Sequence, residues 1–375
     1  MNGAGAGALR RRPDWPTLRA AAAERRSLGG WMMRRLTRRA AGAGLAMALA
    51  MGMTGAAAAQ EMAPLDPPQE VTFAYVPIMK FAAAYVAEER GLFEKHGLDV
   101  RFERVKSGTE AIAFLTQGSV DVGGIAIVTS LWSGWNRGLD LRIVAPGALE
   151  PMEGSSTGLY VRQALLDDGG VTGAADLKGR KVGVAGGPGS GGEYLAAKAL
   201  ERGGLTIRDV ELINIGNPDI PQALAAGSVD AAIAAPPYAE ALVASGDAAL
   251  LEGDLAPGLM TVAYVGSGRF VTERPEAAER FVLALTEAAR MMQGEDFLAP
   301  ENVAAYLAHT ATTEEALRAD ASLVFDPEMA IPVDGLSDVE ATHRANGRTE
   351  YDEPLDVLSV VDGRFIEAAR AALGD

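Results

Sequence analysis

Gly118-Ser-Val-Asp121 recurs as Gly227-Ser-Val-Asp230, 109 positions downstream, and the order of elements around the two copies recurs with it. The same shift lays Leu115 on Leu224, Tyr85 on Tyr194, Tyr75 on Val184 and Glu110 on Asp219, and Gly97-Leu98 meets Gly204-Leu205 after a two-residue gap. A repeat of this length, with strand and helix alternating inside it, restricts the chain to two similar α/β lobes. In the first copy, Val71 to Val76 reads as a strand ended by Pro77. Phe81 to Arg90 reads as a helix with Gly91 at its C-terminal cap. Gly97 to Val105 enters a second strand, Ser107-Gly-Thr-Glu110 is an S-x-x-E box opening a helix to Thr116, and Val122 to Val128 is a third strand. The order β-α-β-α-β predicts a parallel sheet with its ligand loops at the strand C-terminal ends.

The second copy is headed by Val182-Gly-Val-Ala-Gly-Gly-Pro-Gly-Ser-Gly-Gly-Glu-Tyr194, the counterpart of Pro77 to Phe81. It predicts a buried strand, a glycine-rich turn and a helix opening at Ser190, with Glu193 completing a second S-x-x-E box. The pattern is neither G-x-G-x-x-G nor a P-loop. Taken alone it reads as an ordinary strand-to-helix turn. Its helix N-terminus also offers unpaired N–H groups to an anion or a carbonyl oxygen. Thr157 to Arg162 reads as a strand leaving the first lobe and Met260 to Val265 as one returning, so the two crossings form a hinge over a cleft. Helical patterns over 274–292, 302–309, 313–321 and 355–373 are expected to pack back on the first lobe.

Charge divides the chain sharply. Residues 1–59 hold ten arginines against Asp14 and Glu24, net +8, which leaves −24 of the overall −16 on the remainder. A body that acidic argues against nucleic acid or anionic membrane as partner. The absence of cysteine excludes disulfides, thiolate metal sites, cysteine nucleophiles and lipidation at an N-terminal cysteine. Arg34-Arg-Leu-Thr-Arg-Arg39, the mildly apolar run from Ala40 to Gly55, and Ala56 to Ala59 come in the order of an export signal. Thr37-Arg-Arg39 resembles its twin-arginine form, and Met32 and Met33 are alternative starts to Met1. The expected division is therefore an export signal over 1–59, a tether over 60–70, lobe one over 71–160, lobe two over 161–262, and a return to lobe one with C-terminal helices over 263–375. Cleavage near Ala59 would leave a soluble periplasmic protein.

Five motifs carry a family resemblance. They are Glu89-Arg-Gly-Leu-Phe-Glu-Lys-His-Gly-Leu-Asp-Val100, Leu115-Thr-Gln-Gly-Ser-Val-Asp-Val122, Asp176-Leu-Lys-Gly-Arg-Lys-Val-Gly-Val184, Gly187-Pro-Gly-Ser-Gly-Gly-Glu-Tyr-Leu195 and Ala226-Gly-Ser-Val-Asp-Ala231. With them the chain, from about Val71 to the C-terminus, resembles the periplasmic substrate-binding proteins of ABC transporters in the nitrate/sulfonate/taurine class. That superfamily also holds thiamine-pyrimidine synthase-like proteins. The resemblance implies a type II periplasmic-binding-protein fold, a monomer of two α/β lobes on a two-strand hinge. It would close on a small solute and deliver it to a membrane permease and its ATPase. It implies no cofactor and no metal.

Carried over by position, the ligand touches Pro77, Met79, Lys80 and Phe81 after the first strand, then Ser107, Gly108 and Thr109. Ala126 and Thr129 follow the third strand, and lobe two adds Gly189, Ser190, Gly191, Gly192, Asn214, Asn217, Asp219, Pro236, Pro237 and Tyr238. Three helix N-termini, at 107, 190 and 219, would then face one cleft. Ser107 and Ser190 serve equally well as plain caps. Capping is the favoured role for Asp219, since a carboxylate repels an anion. Lys80 and Lys106 are bases placed to pair with an anion, and solvated lysines otherwise. Trp132 and Trp135, spaced i, i+3, read as core, whereas Tyr238 is placed to stack on an organic ligand. His96, His309 and His343 lack any metal spacing and read as surface residues. No pair of carboxylates is arranged for acid–base catalysis.

Receptor is the leading reading. A pyrimidine-synthase-like enzyme would need the cysteine-rich motif this chain lacks, and a regulator would need an added DNA-binding or signalling module. The ligand expected is a small organic anion, a sulfonate or carboxylate, with a neutral heteroaromatic such as a thiamine-precursor pyrimidine as the alternative.

Overall fold

The computed structural model describes residues 62–374 except 106, 237, 311 and 320–322. The export signal and residues 60 and 61 of the tether fall outside the described residues. The described residues form one compact unit. Two five-stranded sheets make up its centre. The first contains β1 (Gln69–Tyr75), β2 (Leu98–Arg104), β3 (Val122–Ala126) and β4 (Leu141–Pro146). The second contains β5 (Gly158–Arg162), β6 (Lys181–Val184), β7 (Glu211–Asn214), β8 (Ala231–Ala234) and β9 (Ala248–Glu252). The last strand, β10 (Val262–Ser267), returns to the first sheet. Strand orders are β2-β1-β3-β10-β4 and β7-β6-β8-β5-β9. In each sheet four strands run parallel, and one antiparallel strand, arriving from the other half of the chain, is inserted fourth. This is the type II periplasmic-binding-protein arrangement.

The repeated tetrapeptide shows why it recurs. Gly118 and Gly227 both take φ of +71°, where glycine alone is unstrained. The next N–H closes back on the helix, Ser119 on Phe114 O at 3.0 Å and Ser228 on Ala223 O at 2.9 Å. Asp121 Oδ2 then accepts the Thr72 N–H, and Asp230 Oδ2 the Lys181 N–H, both at 3.0 Å. Each aspartate thus pins the second strand of its sheet, β1 or β6, to the turn that ends the preceding helix. The sequence duplication is a duplication of backbone bonding.

Between the lobes, the β4–β5 and β9–β10 connections lie side by side. Glu150 N–H donates to Leu259 O at 2.9 Å and Gly258 N–H to Glu150 O at 3.1 Å. Leu149 also exchanges two hydrogen bonds with Val324, so a third segment is laid along the hinge. The helices Pro275–Arg290 and Pro300–His309 pack on Ala82–Glu89, and Arg364–Leu373 packs on Pro275–Arg290. The pattern over 355–373 is broken, with a 3-10 turn at Val357–Val360 separated from the Arg364 helix. The helix Val333–Ala345 was not expected. It lies across both lobes, against Gly191–Arg202 of the second and Thr129–Asn136 of the first.

All three histidines are buried, which corrects their reading as surface residues: exposures are 4% for His96, 9% for His309 and 0% for His343. Each has a polar partner that permits burial. His96 meets Glu287 at 3.1 Å, His309 meets Glu89 at 3.0 Å and stacks on Tyr85, and His343 Nδ1 accepts from Trp132 Nε1 at 3.2 Å.

Candidate functional site

A cavity of about 710 Å³ lies between the two sheets at the hinge. Its volume falls within the ~300–1,000 Å³ that encloses drug-sized ligands. The first lobe supplies the loop after β1. Here Ile78 O accepts the Tyr85 hydroxyl at 2.9 Å, the chain turns through a short 3-10 segment Met79–Phe81, and Lys80 O accepts Ala148 N–H at 2.9 Å. Pro77, Ile78, Met79 and Lys80 therefore form a fixed wall. Phe81, carried over as a ligand contact, turns the other way. It is 1% exposed, its ring lies on Gly124 of β3, and it packs edge-on to Tyr264.

Lys80 bears the cavity's ammonium, and it is already engaged. Nζ lies 2.5 Å from Glu150 Oε1 and 2.6 Å from Thr261 Oγ1, both on the hinge segments. Glu150 is 5% exposed and the lysine side chain 27%. An ammonium has three donors, so one remains for a ligand, but its charge is already balanced.

The second lobe contributes the glycine-rich turn. Ser190 caps the helix Gly191–Arg202 by accepting Glu193 N–H at 3.2 Å, and its own hydroxyl donates to Ala185 O at 2.9 Å. The hydroxyl is thus spent within the turn, while Gly191 and Gly192 line the cavity. A Cβ on Gly192 would sit 2.6 Å from Ala185 O, so the backbone passes there too closely for any side chain. Gly189, at φ +74°, accepts Thr129 N–H at 3.3 Å across the cleft. That contact joins the lobes on this side. Glu193, 1% exposed, accepts Gly189 N–H and is clasped by Arg348.

Of the remaining candidates, Ala126, Asn217, Pro236 and Tyr238 line the cavity. Ser107 is exposed and caps Gly108–Gln117 by accepting Glu110 N–H at 3.3 Å; it, Gly108 and Thr109 are not in the cavity wall. Asn214 lies against Gly187, outside the wall, and Pro237 and Lys106 are outside the described residues. Asp219 does not cap its helix, contrary to expectation. It sits in a 3-10 turn with helical φ/ψ, and the second helical residue is Pro221, which has no N–H to offer. Trp132 and Trp135 are core, with ring centroids 5.3 Å apart.

Several wall residues carried no sequence signal. Leu195 and Ile233 come from lobe two, Thr157 and Thr261 from the hinge, and Phe297, Thr310, Thr312, Ala316, Leu317 and Leu323 from the stretch after the long helix. A leucine facing a cavity and a leucine facing a core look alike in sequence. Among the described residues, no group of three or more histidines and carboxylates is placed to hold a metal, and no helix is long and apolar enough to cross a membrane.

Two lobes, a hinge at the base and one largely apolar cavity between them define a bilobal ligand-binding fold. The chain belongs to the NMT1-like family, whose model matches residues 65–308. A relative in Brucella abortus (strain 2308), provisionally named as a binding protein, is 29% identical over 54% of this chain. The match spans 60% of that relative's length. Among solved structures, the nitrate-binding protein NrtA of Synechocystis PCC 6803 superposes with a TM-score of 0.65 at 17% identity, over 83% of this chain and 90% of that one. The alkanesulfonate-binding protein SsuA of Xanthomonas axonopodis pv. citri, bound to MOPS, gives 0.60 at 19% identity, over 79% and 99%. The desulfurization enzyme DszB gives 0.54 at 20%, over 80% and 98%. At these identities the likeness is one of fold.

Proposed function

We propose that the chain is the solute receptor of an ABC importer. It would be exported, capture a small organic molecule between its lobes, and hand it to a permease and its ATPase. The hinge, the cavity above it and the fold shared with the sulfonate- and nitrate-binding proteins support this reading. Among the described residues, the charged side chain of the cavity wall, Lys80, is tied to Glu150 and Thr261.

The observation that carries the ligand class is that same ion pair. With Glu150 balancing Lys80 and apolar groups forming most of the wall, the cavity favours a solute of no net charge that offers an acceptor to the ammonium. An organic anion is the second reading. It is favoured by Gly191 and Gly192 at the N-terminus of a twelve-residue helix and by the ligand classes of SsuA and NrtA. Thermal melts of the full chain with an aminopyrimidine, ethanesulfonate and 1-propanesulfonate test both. A ligand at 100 times its Kd should stabilise by about 2.7 kcal/mol. A shift with the pyrimidine alone supports the neutral reading, and a shift with the sulfonates alone overturns it.

A further inference from the structure

The wall formed by residues 297–323 is unlike the other two. Phe297, Leu317 and Leu323 present hydrocarbon, and Thr310 spends its hydroxyl on Tyr306 O at 2.7 Å. The short helix Glu314–Ala319 turns Leu317 inward, 3% exposed, while its Glu314–Arg318 pair faces water with each side chain more than half exposed. Among the described residues of this stretch, no ionisable side chain lines the cavity, whereas Lys80 stands at the hinge. The space is also far larger than a small oxyanion needs, at about 710 Å³. We infer that the solute is elongated, with an acceptor-bearing head at Lys80 and an apolar tail lodged against Phe297, Leu317 and Leu323. This rests on the receptor reading and adds a length requirement to it. A tail drawn out of water along this wall gains affinity with each carbon, while a compact solute leaves the wall unused.

The test is calorimetric titration of the full chain with two homologous series, 1-alkanesulfonates and primary alkanamides, each from two to eight carbons. In the series whose head is accepted, affinity should tighten about fourfold per methylene until the wall is covered. Ala316→Trp, at a half-buried position of the same wall, should abolish that gain while leaving the two-carbon member unaffected. If its melt shows a misfolded protein, Thr312→Phe serves in its place. Measurable binding that does not vary with length, or a length gain that survives both substitutions, overturns the tail and leaves the receptor standing. Binding of no member of either series overturns both.

Discussion

Arg348 closes on Glu193 with two parallel hydrogen bonds, Nε to Oε1 and Nη2 to Oε2, each 2.8 Å, across 155 residues of chain. The carboxylate is 1% exposed and also receives Gly189 N–H, so the guanidinium fixes the conformation of the turn that lines the cavity. Its neighbours extend the attachment. Asp338 binds the Tyr194 hydroxyl at 2.7 Å and Lys198 at 2.9 Å, while Trp132 and Arg137 of the first lobe meet His343 and Glu350. Residues 333–350 are therefore a strap bonded to both lobes.

Removing one partner of a buried pair leaves the other charge uncompensated, at a cost of about 3–5 kcal/mol. Arg348→Met should fall at the low end, about 3 kcal/mol, because the guanidinium is 31% exposed. Urea unfolding measures it, and adding Glu193→Gln should recover most of the loss. A loss below about 1 kcal/mol, or no recovery in the double variant, would show that the clasp is not what stabilises the turn.

Glu150 sets the charge of the cavity. Glu150→Gln keeps the shape and an oxygen for Lys80 to donate to, but leaves the ammonium unbalanced. Binding of ethanesulfonate should tighten about tenfold, or ~1.4 kcal/mol, and that of a neutral amide should stay within twofold. Titration calorimetry on the two proteins reads both. An unchanged sulfonate affinity would remove Glu150 as the determinant of charge selectivity.

What the sequence made legible was backbone bonding. Gly118, Ser119 and Asp121 each perform a task that few residue types can, so their recurrence at 227, 228 and 230 exposed the two lobes and the order of elements along each. Ser190 was legible for the same reason. The cavity was half legible: among the positions carried over from the family resemblance, Lys80, Gly191 and Tyr238 line it. The rest left no mark, because Leu317 or Ile233 facing a solute satisfies the same apolar pattern as a core residue. The strap helix was hidden because Pro332 gives it no side-chain cap and its buried face includes Glu340, Thr342 and His343. His343 is buried through a partner distant in sequence, Trp132, and Glu340 through Arg344 on the same helix.

Gly189 combines a left-handed backbone with a contact between lobes. A Cβ there would lie 2.3 Å from Thr129 Oγ1, whereas at Gly179, also at φ +74°, it would meet nothing within 4 Å. Alanine at either position should cost about 1–2 kcal/mol from backbone strain. Only Gly189→Ala should also push the lobes apart, read as a larger radius of gyration in solution scattering of ligand-free protein. Equal scattering from the two variants would mean that the Thr129 contact does not hold the cleft.

His343 gives the strap a pH dependence whose sign follows from its surroundings. Burial is the main cause holding its pKa below the ordinary 6.5, with Arg348 acting the same way; the Ser190 carbonyl, Glu193 and Glu340 push it back up without prevailing. Neutral His343 accepts the Trp132 indole N–H, a role the imidazolium cannot play. The unfolded chain therefore takes up a proton near 6.5 that the folded chain refuses. The stability contributed is complete above that pH and declines as pH falls toward the folded value, by at most about 1.4 kcal/mol per pH unit for one proton. His343→Gln offers the indole an acceptor that does not titrate. Unfolding free energies at pH 7.5, 6.0 and 5.0 should fall more steeply for the natural protein than for this variant, since the carboxylates common to both cancel in the difference. Parallel declines would mean that the proton is accommodated in the folded protein and that the Trp132 bond is dispensable to the strap.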